Sequence, residues 1–183
     1  LVVNRHGRLV WWHELEPGTD FVETGMSPEL PGALSLVWTS EDEAIHQVPF
    51  DSRDPVVVTE LPDAHHAYAP LPDGRLVYCY EDCRSWEHDS LGQEVHACGD
   101  GLGILEADGS ISTLFTTWDW GMPEERDLRN STARRPEDWT HANAVAYHPE
   151  RDTLLLSLRD ELTVLEVDLQ TGQVVDEHGL SDG

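Results

Sequence analysis

The sequence contains no lysine. All eleven of its basic residues are arginine, against 36 acidic ones, which leaves a net charge of −25. So large an acidic excess excludes nucleic acid and anionic membrane surfaces as main partners, because both would be repelled. A GC-rich genome or adaptation to salt produces the same bias. Apolar runs are short as well: none approaches the roughly 18 residues of a membrane span, and no signal-peptide pattern is visible. Cysteine is scarce, with Cys79, Cys83 and Cys98 confined to about twenty residues. An odd count with C-x-x-x-C spacing fits one loop disulfide plus a spare thiol in an exported protein; a zinc site that also uses His88 or His96 is the alternative. A phosphate-cradling glycine loop is missing too, since Gly101-Leu102-Gly103 lacks a third glycine and a following helix pattern.

What the chain does contain is a succession of short extended runs punctuated by turn residues. The densest set covers 138–179, with runs at 144–147, 153–158, 162–167 and 173–175. Pro149-Glu150-Arg151-Asp152 and Gln170-Thr171-Gly172 separate them. Four short strands joined by tight turns are the pattern of one β-propeller blade. Earlier, Asn4-Arg5-His6-Gly7-Arg8 is the turn of a hairpin in which Gly7 supplies a positive φ. Runs at 34–39, 45–50 and 55–61 follow a polar loop at 17–31. Pro72-Asp73-Gly74 is a tight turn after a further run, and Ala107-Asp108-Gly109 joins 101–106 to 110–115. Residues 81–100 read as a polar insertion between two strands of one unit. Residues 118–137 read as a long connection carrying Arg126, Arg129, Arg134 and Arg135, either a lid or a solvated loop. The expected fold is therefore all-β, a partial β-propeller over 1–183 with about three blade-like units near 1–61, 62–120 and 138–180. At about 40–50 residues per blade, 183 residues fall short of six blades, so an internal fragment of a longer protein is expected.

Polar residues in this pattern gather at strand ends. Side chains that open the first strand of a blade face a shared funnel rather than the packed space between blades. His141 and Asn143 open the run at 144–147, and Arg159 closes the next one. Imidazole and guanidinium together suit an anionic group with several oxygens, such as a sulfate or phosphate ester. The alternative is that His141 caps a turn while Arg159 pairs with Asp160 or Glu161 at the surface. Asp63-Ala64-His65-His66-Ala67-Tyr68 repeats the layout, with a histidine opening its own strand. There too a pair of surface histidines is the competing reading.

Three segments carry a family resemblance: Asp138-Trp139-Thr140-His141-Ala142-Asn143-Ala144-Val145, then Asp152 to Arg159, then Asp168-Leu169-Gln170-Thr171-Gly172-Gln173-Val174-Val175. They resemble the bacterial arylsulfate sulfotransferase family, whose pattern is D-W-x-H-x-N-S-V, a strand ending S-x-R, and D-x-x-T-G before a further strand. Asp160, Asp176 and Ala67 depart from that pattern. The resemblance implies a six-bladed propeller, periplasmic or secreted, that moves a sulfuryl group from an aryl sulfate to a phenol. The route it implies is a sulfo-histidine, with no nucleotide sulfate donor, cofactor or metal, and it is compatible with a homo-oligomer. It places His141, Arg159 and His66 on catalytic positions and Asn143 and His65 on substrate-binding ones. The family's nucleophile is a further histidine on a later blade, beyond Gly179. His178, ending an outer strand, is not a candidate. Two rivals stand beside this reading: a non-catalytic exported propeller acting as a binding module or scaffold, and a quinone-dependent propeller dehydrogenase, whose tryptophan docking repeat is missing here.

Overall fold

The computed structural model describes residues 2–12, 22–26, 33–38, 44–49, 57–124, 128–129, 132 and 136–179. Strands β1 (Val2–Val3) and β2 (Leu9–Trp11) form the opening hairpin, with Gly7 at φ 72 and its N–H donating to the Asn4 carbonyl. A four-stranded antiparallel meander follows: β3 (Val22–Met26), β4 (Ala33–Trp38), β5 (Ala44–Pro49) and β6 (Val57–Glu60). The second meander is β7 (Ala64–Pro70), β8 (Leu76–His88), β9 (Gln93–Leu105) and β10 (Ile111–Thr116). One helical turn, α1 (Thr117–Trp120), leads away from it, and β11 (Glu137–Asp138) returns to lie parallel to β9. The third meander is β12 (Ala142–His148), β13 (Thr153–Leu158), β14 (Thr163–Asp168) and β15 (Val174–Gly179). The fold is all-β, and among the described residues every sheet is antiparallel but for the added β11.

Two stretches differ from the expectation. Strand β3 lies inside 17–31, expected to be loop; its register with β4 runs from Val22↔Trp38 to Met26↔Leu34, so ladder pairing overrides a local composition rich in glycine and proline. Residues 81–100 are not an inserted loop either. The two central strands of the second meander run straight through them, paired from Leu76↔Leu105 out to His88↔Gln93. The outer half of this ribbon is largely exposed on β8, and that is why its composition looks like loop. Within it Cys83 lies opposite Cys98 and the two form a disulfide, so the bridge ties paired strands rather than a loop. Cys79 is a buried thiol in the core. The zinc alternative loses two of its three thiols to that bridge, while His88 and His96 contact the Ser90 and Ser85 hydroxyls. In the connection at 118–137, Arg129 is exposed, and Arg126, Arg134 and Arg135 lie outside the described residues.

The core forms where the second and third meanders meet. Ala67, Val77, Cys79, Leu102 and Phe115 pack with Ala142, Val145, Leu154, Leu156 and Leu165. The other face of the second meander buries Leu61, Ala64, Tyr68 and Tyr78, on the side where β3 and β4 approach β7. Gly101 and Gly103 are explained here, since a Cβ at either would collide with the ring of Tyr80 or Tyr78 lying across it. The pair makes room for aromatic rings, not for phosphate. Strands β7 and β12 lie beside each other, which brings the openings of the two strands together.

The disulfide closes a loop of sequence separation 15, for which chain entropy gives up to about 3 kcal/mol of stabilisation. Reduction, or the Cys83→Ser/Cys98→Ser double variant, should therefore lower the melting temperature by several degrees. An unchanged midpoint after confirmed reduction would contradict this.

Candidate functional site

The site is built on a buried charge. Asp100, on β9 opposite Glu81, is 2% exposed, and an ionised carboxylate there requires donors. Its Oδ1 receives the Nε2 of His65 at 2.8 Å, and its Oδ2 accepts from the Thr140 hydroxyl and, at 2.8 Å, from the Ala142 N–H. The Asp100 N–H donates in turn to Thr117 Oγ1 at 2.9 Å. Burial pushes the Asp100 carboxyl up. The hydrogen bonds from His65, Thr140 and Ala142 outweigh it and hold the group below the usual carboxylate range. Gly99 permits this close approach, because a Cβ there would press on Thr117 Oγ1 and the Trp139 indole.

Backbone irregularity then aims the histidines. Along β7 the register jumps from Ala64↔Tyr80 to Tyr68↔Tyr78, so residues 65–67 bulge out opposite Cys79. His66 within that bulge has φ 54, and Asp63 just before the strand has φ 57. The left-handed turn at His66 brings the adjacent His65 and His66 onto one pocket, where regular alternation would send them to opposite faces. Their Nδ1 atoms are 3.1 Å apart and their rings are perpendicular. Strand β12 opens in a similar way, with His141 at φ 48 and a bulge at Asn143, between Ala142↔Leu158 and Ala144↔Ser157. The His141 ring meets that of His66 edge to face at 5.0 Å, and its Nδ1 contacts Asp138 Oδ2 at 2.5 Å.

The resulting open pocket, of about 250 Å³, is lined by Asp63, Ala64, His65, His66, Glu81, Asp100, Asp138 and His141. Burial lowers the proton affinity of His66, as do His65, His141 and Arg159, with Asp100 opposing them. Desolvation raises Glu81, reinforced by Asp138, Asp100 and Asp63 and opposed by His65.

Of the residues expected from sequence, His65, His66 and His141 converge. Arg159 comes close through its backbone, donating its N–H to the His141 carbonyl at 3.1 Å. Its guanidinium turns away onto Asp160, at 2.6 and 3.1 Å, and is exposed. Asn143 is exposed and does not line the pocket. The carboxylates were not singled out, Asp100 above all. Its signal was a lone acid inside the otherwise apolar and glycine-rich run from Ala97 to Leu105.

Asp100→Asn leaves at least one buried donor facing an amide N–H, and should destabilise the fold by about 3 kcal/mol. The sign of the pH effect follows from the depressed carboxyl. Its contribution is complete above the unfolded value of about 3.9 and is lost as pH falls through the lower folded one. Urea unfolding across acid pH should show that loss in the wild type and not in the variant. Equal midpoints for the two proteins at neutral pH would contradict the assignment.

The family model described as Arylsulfotransferase (ASST) matches residues 2–176. No curated protein matches the chain. Among solved structures, a protein of unknown function from Bacteroides caccae is 14% identical with a TM-score of 0.53, over 96% of this chain and 52% of that one. A chain of a nidogen/laminin complex is 13% identical with a TM-score of 0.35, over 81% and 60%. The chain thus spans about half the length of the Bacteroides protein, which it resembles in fold.

Proposed function

The chain belongs to the arylsulfotransferase family, and from that premise we propose that the pocket transfers a sulfuryl group from an aryl sulfate to a phenolic acceptor. The carrying observation is the convergence of His65, His66 and His141 at the adjoining starts of β7 and β12. We read the meanders as successive blades of a β-propeller and the pocket as part of its funnel. Consecutive four-stranded meanders with neighbouring first strands support that reading.

Sulfuryl transfer moves negative charge between the aryl oxygen and the carrier, with the sulfonyl oxygens charged throughout. Donors fixed in place beforehand are what such a reaction requires. His141 is held through Nδ1 by Asp138 and lines the pocket, so on this reading Nε2 is its donor to the ester, and His66 is the acid or base for the aryl oxygen. Two of the four pocket carboxylates, Asp100 and Asp138, are engaged with imidazoles, which moderates their repulsion of an anionic ester. Arg159 joins when its guanidinium leaves Asp160, and an exposed pair of this kind is weak enough to open for a better-placed anion. The covalent sulfo-histidine of this mechanism is assigned to a histidine other than these three. The disulfide supports an exported protein, periplasmic or secreted.

The test uses the full-length protein, a chromogenic aryl sulfate and a phenol. His141→Asn keeps a residue tolerant of the left-handed backbone, and Arg159→Leu removes the guanidinium while leaving an aliphatic side chain. Each should cut kcat/KM by about 10²-fold or more with an unchanged unfolding midpoint. Wild-type activity in both variants sinks the site; no transfer by the wild type would favour a binding module.

A further inference from the structure

The contacts around Asp100 determine where protons sit. An ionised carboxylate only accepts, so the nitrogen of His65 at 2.8 Å from Oδ1 is Nε2–H. When His65 is neutral its Nδ1 is then an acceptor. The Nδ1 of His66, 3.1 Å away, must donate to it, and the lone pair of His66 is left on Nε2, as a base requires. When the pair holds one more proton, the same contact reverses. His65 becomes the imidazolium, donating from Nδ1 to His66, and His66 becomes the other neutral tautomer with Nε2–H.

We propose that His65 and Asp100 are the proton store of the site, acting through His66 on the substrate oxygen. The proposal rests on the transfer reading only for the source of the proton. As the acceptor hydroxyl attacks sulfur, its O–H bond breaks and the proton goes to His66 Nε2. His66 Nδ1–H breaks in the same event and its proton goes to His65 Nδ1. The positive charge ends on His65, against the Asp100 carboxylate, and His66 stays neutral throughout. In the donor half the protons run back, and the departing aryl oxide leaves with the proton of His66 Nε2.

The surroundings favour this division of labour. Among the described residues, the charged and titratable groups facing the pair are Asp63 before β7, Glu81 on β8, Asp100 on β9, Asp138 on β11, His141 before β12 and Arg159 at the β13–β14 turn. Charge on His66 is opposed by burial and by its neighbours His141 and Arg159. Charge on His65 is met directly by a carboxylate that also holds Thr140 and Ala142 and so has no freedom to turn away. His65 and Asp100 are positioning residues on this account, and His66 is the catalytic one.

The deciding experiment is an ¹⁵N titration of the histidines in the full-length protein, with no substrate present. An N–H···N hydrogen bond transmits a scalar coupling, so the two facing Nδ1 atoms identify each other without a mutation. Acidification should make His65 the imidazolium while His66 stays neutral and its proton moves from Nδ1 to Nε2. His66 charging first, or keeping its tautomer while His65 charges, overturns the proposal. In kinetics, His65→Asn keeps an acceptor for His66 Nδ1–H and cannot hold a proton. It should lower kcat by about 10²-fold and move the acid limb of kcat/KM for the phenol acceptor to lower pH, whereas a merely structural role would leave the limb in place. The expected titration in a protein that transfers no sulfate would leave the relay standing and remove the sulfotransferase reading; transfer with His66 charged would do the reverse.

Discussion

The carboxylate of Asp100 is the fixed point on which the site depends. Removing an ion of this size from water costs several kcal/mol, and only a full set of donors offsets it. Those donors come from His65 on β7 and from Thr140 and Ala142, the two residues flanking His141. One core charge therefore fixes the openings of two strands in two sheets. The distance between His66 and His141 follows from it rather than from a mobile loop, and a transfer site needs its groups held in this way.

Backbone strain completes the arrangement. His66 and His141 both occupy the left-handed region, at a cost of about 1–3 kcal/mol each, and each sits in or beside a bulge. The paired strands behind them supply the stability that holds these conformations. Had the backbone been regular, His65 and His66 would have pointed to opposite faces and the pocket would have held fewer imidazoles. The strain thus has an identifiable result, the convergence of three rings.

Strand content and turn positions in the third meander were legible because its apolar runs and turn residues are unambiguous, and Gln170-Thr171-Gly172 and Pro149-Glu150-Arg151-Asp152 fall between its strands. His66 and His141 were legible as polar residues opening apolar strands. The outer ribbon of β8 and β9 was not, because exposed paired strands have the composition of loops. Asp100 was not, because its partners Thr140 and Ala142 lie 40 and 42 residues away. The pairing of Arg159 with Asp160 stood in the sequence as the alternative to a funnel-facing guanidinium, and only the side-chain torsions decide between the two.

The most direct measurement is a crystal structure of the full-length protein with an aryl sulfonate or sulfamate in place of the labile ester. The account predicts its oxygens within hydrogen-bond reach of His66 and His141, with Asp100 still holding His65, Thr140 and Ala142. A ligand bound away from these histidines, or an Asp100 carboxylate released from His65, would contradict it.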